Sequence, residues 1–113
     1  MEITKYLENS EIVKSYKILN LKTFEIGFYI KIAIELINEN KLFFKEYVDE
    51  KERNYSYHWQ DNQKKLIKRW DNAPHHKHIK TYPHHYHYKN NVFESYDISI
   101  KDILMYIEKN ILK

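Results

Sequence analysis

A chain of 113 residues, 42% hydrophobic and 31% charged, reads as one soluble globular domain over residues 1–113, without long disordered stretches. The absence of cysteine excludes disulfides, thiolate metal ligands and a cysteine nucleophile, which leaves imidazole and carboxylate as the strong metal ligands. A formal charge of +3 admits a polyanionic partner but falls short of a dedicated nucleic-acid binder. No apolar run approaches about 20 residues, and Met1-Glu2-Ile3-Thr4-Lys5 has no signal-peptide pattern, so the expectation is a cytoplasmic protein that neither crosses nor is anchored to a membrane.

In chain order, Ile3, Tyr6 and Leu7 have helical spacing and predict a short helix over residues 2 to 9, closed by Asn9-Ser10. From Ile12 the period drops to two, with Ile12, Tyr16 and Ile18 on one side and Val13, Ser15 and Lys17 on the other, which predicts a strand. Phe24, Ile26, Phe28, Ile30, Ile32, Ile34 and Leu36 then occupy every even position and predict one long strand with a single buried face. Asn38-Glu39-Asn40 supplies a turn into Leu42, Phe44 and Val48, so a hairpin is expected, followed by a solvated loop at Asp49-Glu50-Lys51-Glu52.

A second hairpin is expected from residues 55–60 and 66–70 with its tip at Asn62-Gln63. That register sets Trp59 opposite Leu66, Tyr57 opposite Lys68 and Tyr55 opposite Trp70, with Ser56 and His58 on the other face beside Ile67 and Arg69. Residues 82–88 could return as a short strand in which His85 and His87 share a face. Ser99 opens a capping box with Asp102, and Ile100, Ile103, Leu104, Ile107 and Ile111 predict a helix to about Leu112. The expected fold is α+β, a largely antiparallel sheet of five or six strands with a short N-terminal helix and a C-terminal helix covering the sheet.

The chemistry is concentrated in the second half. All seven histidines lie between His58 and His87, and the two prolines each precede a His-His pair, at Pro74-His75-His76 and Pro83-His84-His85. Metal-free RNA cleavage needs a base for the 2′-hydroxyl, an acid for the leaving oxygen and a cation for the phosphate. His58, His75, His76, His85 and His87 are acid/base candidates, with His76 and His85 favoured; Arg69 and Arg53 are phosphate clamps. Tyr55, Tyr57, Trp59, Tyr82 and Tyr86 could stack unpaired bases, and Asp71, Asn72 and His84 complete the candidate substrate contacts.

Other readings stay open. His85 and His87 with His75 or His76 could bind a divalent metal, although the leading reading requires no metal or cofactor. A non-enzymatic protein that acts by occupying RNA or a protein target would use the same aromatic and basic residues. Asp71 and Asn72 could be turn formers, His58 a packed strand residue, and Trp59, Trp70, Tyr55 and Tyr57 core.

Three motifs carry a resemblance: Tyr-Ser-Tyr-His-Trp-Gln-Asp at 55–61, Leu-Ile-Lys-Arg-Trp-Asp-Asn-Ala-Pro-His-His at 66–76, and Pro-His-His-Tyr-His at 83–87. In their order and spacing they resemble the TumE family, assigned as toxins of type II toxin–antitoxin pairs and formerly a domain of unknown function. The resemblance implies an antitoxin partner with a helix-turn-helix DNA-binding domain, of the TumA kind. It also marks His58, Arg69, Asp71, Asn72, His75, His76, His84, His85 and His87 as motif positions. Family members often have a glycine at the hairpin tip, where this chain has Asn62-Gln63-Lys64. RNA is the expected substrate, and exposed strand edges would permit a homodimer without specifying one.

Overall fold

The computed structural model describes residues 2–112. A helix α1 (Glu2–Asn9) leads into seven strands, β1 (Val13–Phe24), β2 (Gly27–Leu36), β3 (Lys41–Val48), β4 (Arg53–Gln60), β5 (Leu66–Asp71), β6 (His85–Tyr88) and β7 (Asn91–Glu94), and a helix α2 (Ile100–Ile111) closes the chain. The strands form one antiparallel sheet in sequence order, so every connection is a local return and the fold is α+β as expected. No helix among the described residues is long and apolar enough to cross a membrane.

Strict alternation sorts the side chains onto two faces. Ile30, Ile32, Ile34 and Leu36 of β2, Leu42 and Phe44 of β3, Tyr55, Tyr57 and Trp59 of β4 and Trp70 of β5 are buried with Leu7, Ile12 and the α2 stripe Ile100, Ile103, Leu104 and Ile107. Phe44 and Tyr57, register partners on β3 and β4, stack with centroids 5.0 Å apart. The α2 capping box forms as expected, with Ser99 as N-cap and Asp102 accepting from the Ser99 backbone N–H.

Three expectations need correction. The sheet has seven strands rather than five or six, because Lys89 and Asn90, both at positive φ, turn the chain back into the short strand β7. The even-position run from Phe24 to Leu36 is not one strand: Phe24 ends β1, pairs with Gly27 and is separated from it by a turn at Glu25-Ile26. In the β4–β5 hairpin Trp59 pairs with Lys68 and Tyr57 with Trp70, two residues from the expected register. The loop is longer there because Asp61 Oδ1 accepts from the N–H groups of both Gln63 and Lys65. A shift of two preserves the faces, so His58 and Arg69 remain side by side.

Gly27 is indispensable where it stands. Its φ is +138°, and a Cβ added there would lie 2.0 Å from the Val48 carbonyl oxygen. Gly27→Ala is expected to lose about 2 kcal/mol or more in urea unfolding; an unchanged midpoint would contradict the close approach of β2 to β3.

Candidate functional site

The site follows from the side chains of β5 and β6 that point away from the helices. Across β4, β5 and β6, His58 pairs with Arg69 and Arg69 with His87; one row along, Ser56 pairs with Asp71 and Asp71 with His85. The Asp71 carboxylate, 4% exposed, is the centre. Its Oδ1 accepts from His85 Nε2 at 2.9 Å and from the Ala73 N–H at 3.0 Å. Its Oδ2 accepts from Arg69 Nε at 3.1 Å and lies 3.5 Å from His87 Nε2. Asp71 is thus both the local turn former and the anion that gathers three cationic or ionisable side chains.

His85 is buried, with Nδ1 2.9 Å from the Pro83 carbonyl oxygen and Nε2 on Asp71. Both neighbours are acceptors, so both bonds form together only when each ring nitrogen carries a hydrogen. His87 and His76 are half-buried and reach the open face. The His76 ring, from the loop after β5, packs edge-on against His85 at 4.7 Å and His87 at 5.5 Å between centroids. Burial, more than the other influences, holds the His87 imidazole below its ordinary pKa; the Asp71 charge opposes this, while His85, His76 and Arg69 add to it. His58 is also lowered, first by burial, against its bond to Gln60, with the Arg69 charge contributing to the lowering.

The other candidates lie elsewhere. Arg53 is on the helix-covered face of β4, where it bonds Glu46, Asp97, the Tyr57 hydroxyl and the Ile98 carbonyl and lies over the Tyr55 ring. Tyr55 and Tyr57 are core; burial raises the Tyr55 hydroxyl to about 12 and pushes Tyr57 up as well. Asn72 is buried and clasps β4, accepting from the Tyr55 N–H and donating to the Arg53 carbonyl. His84 bonds and stacks on Tyr55, while His75 and Tyr82 are exposed. The cluster therefore consists of Arg69, Asp71, His76, His85 and His87, with His58 flanking it.

A cavity of about 530 Å³ opens from Arg69 and Asp71 across the sheet to Lys45, Tyr47 and Tyr29. The sequence reading did not single out Tyr29, Lys45 or Tyr47. Their signal was the odd-position alternation of β2 and β3, which sets them opposite the core. One donor nitrogen from each of His76, His85 and His87 lies within 4.8 Å of the others, so these three rings could hold a metal ion, with the Asp71 oxygens beside two of them.

The fold and site define a small α+β protein with an imidazole–carboxylate–guanidinium cluster on the open face of an antiparallel meander. The chain belongs to the family described as Toxin TumE, whose model matches residues 3–111, nearly its whole length. No curated protein and no solved structure matches it.

Proposed function

We propose that this member of a toxin family is an endoribonuclease that cleaves RNA by transphosphorylation at the Asp71 cluster, and that it is held in check by an antitoxin carrying a helix-turn-helix domain. The observation that supports it best is the convergence of two reachable imidazoles, His76 and His87, beside an arginine whose Nε is fixed on Asp71. Arg69 is partly exposed, and its Nη groups have no partner among the described residues, which leaves them for the scissile phosphate.

His87, held neutral by burial, takes the 2′-hydroxyl proton as the 2′-oxygen attacks phosphorus. His76 gives a proton to the departing 5′-oxygen, so the products end in a 2′,3′-cyclic phosphate and a 5′-hydroxyl. His85, with both nitrogens occupied, positions Asp71 and the neighbouring rings rather than transferring a proton. Because the His87 pKa is lowered, the acid limb of the pH–rate profile is expected to lie below about pH 6.5, the ordinary imidazole value, while the alkaline limb belongs to the acid, His76. An acid limb centred above that value would contradict His87 as the base.

A second reading has an observation of its own. Tetrahedral ligands at zinc-like bond lengths sit about 3.3 Å apart, and the Asp71 oxygens lie 2.9 and 3.5 Å from His85 Nε2 and His87 Nε2. An ion there would replace the His85–Asp71 hydrogen bond, and cleavage would then stop in chelator. Cleavage of purified RNA with and without chelator separates the two readings.

A further inference from the structure

We infer that the open sheet face running from the Asp71 cluster toward β1 is the track for the substrate, and that it takes single-stranded RNA; this rests on the ribonuclease reading above. The sheet register places Lys31 beside Lys45, Lys45 beside Ser56 and Ser56 beside Asp71, a row that leads into the site over three strand spacings, or about 14 Å. On the adjoining row Tyr29 pairs with Tyr47 and Tyr47 with Asn54. The cavity lined by Tyr29, Lys45, Tyr47, Asn54 and Ser56 also has Arg69 and Asp71 in its wall, so the track meets the cluster at those two residues.

The charge on this face is lopsided. Lys17, Lys22, Lys31, Lys41, Lys45 and Arg69 belong to it by register, against the carboxylates Glu35, Asp71 and, on β7 at the far side of the cluster, Glu94. Glu35 lies 3.9 Å from Lys14, and Asp71 is engaged by His85 and Arg69. At the groove's outer end Glu52 is the remaining carboxylate of the lining. Lys31 and Lys45 are exposed and have no carboxylate partner among the described residues, which suits a polyphosphate chain. The half-buried rings of Tyr29, Phe43 and Tyr47 offer π-faces for unpaired bases, which a duplex keeps stacked within itself.

The test is fluorescence anisotropy with a labelled oligouridylate whose riboses are 2′-O-methylated, so that it binds without being cleaved. Lys31→Glu/Lys45→Glu is expected to weaken binding at least about tenfold, and Lys31→Gln/Lys45→Gln to reduce the slope of log K against log salt by about 1.4, two phosphates at 0.7 each. Lys101→Glu/Lys109→Glu on α2, across the sheet, is the charge-matched control and should change binding less than about twofold. Wild-type affinity in the Lys31/Lys45 variants, equal loss in the control, or equally tight binding of duplex RNA would overturn the track. Variants that bind RNA normally but no longer bind the antitoxin would give this face to a protein partner and also overturn it. Lysine-dependent binding without cleavage of unmodified RNA would support the track and reject the ribonuclease reading; cleavage with lysine-independent binding would do the reverse.

Discussion

Asp71→Ala is expected to lower unfolding free energy by about 2–3 kcal/mol, the cost of leaving buried donors without their acceptor, and to abolish RNA cleavage. Three interactions are lost together: the bond from His85 Nε2, the bond from Arg69 Nε and the turn bond from the Ala73 N–H. His85 is 2% exposed and lies on β6 between β5 and β7, so it cannot turn to water without opening the sheet there. Asp71→Asn keeps an oxygen for Ala73 but removes the charge, so it is expected to fall between wild type and Asp71→Ala. Urea denaturation of the three proteins measures this, and a loss below about 1 kcal/mol for Asp71→Ala would mean that the carboxylate is not the centre of the cluster.

The second large effect is kinetic. His87→Ala and His76→Ala are each expected to reduce cleavage about 100- to 10,000-fold, the usual worth of a positioned acid or base, while shifting stability by less than about 1 kcal/mol because neither ring is fully buried. The double variant should lose less than the product of the single losses, since base and acid serve one step. His75→Ala, an exposed ring with its backbone N–H on Ala73, should cleave normally. If His76 and His87 variants kept wild-type rates, proton transfer would have to be assigned elsewhere.

What could be read from the sequence was what is local. The alternation over residues 28–36 and 42–48 determined two strands and their buried faces, and Ser99 with Asp102 marked the start of α2. The turn at Glu25-Ile26 escaped because Phe24, Ile26 and Phe28 continue the same alternation, and neither central residue is a turn former. The histidines and Asp71 were visible as residue types, but the Asp71–His85 pairing was not. It depends on β5 meeting β6 across the whole His-rich loop, a non-local match that spacing does not encode. Arg53 looked like a phosphate clamp for the same reason: its partners Glu46 and Asp97 come from β3 and from the segment before α2, seven and 44 residues away.

The most direct test is to incubate the purified protein with RNA in chelator and identify the new ends by mass spectrometry. Cleavage that persists, is lost when the ribose is 2′-O-methylated and leaves 2′,3′-cyclic phosphate with 5′-hydroxyl ends is the result expected of His87 and His76. Intact RNA with and without divalent ions, from protein that is folded and still toxic in cells, would contradict it.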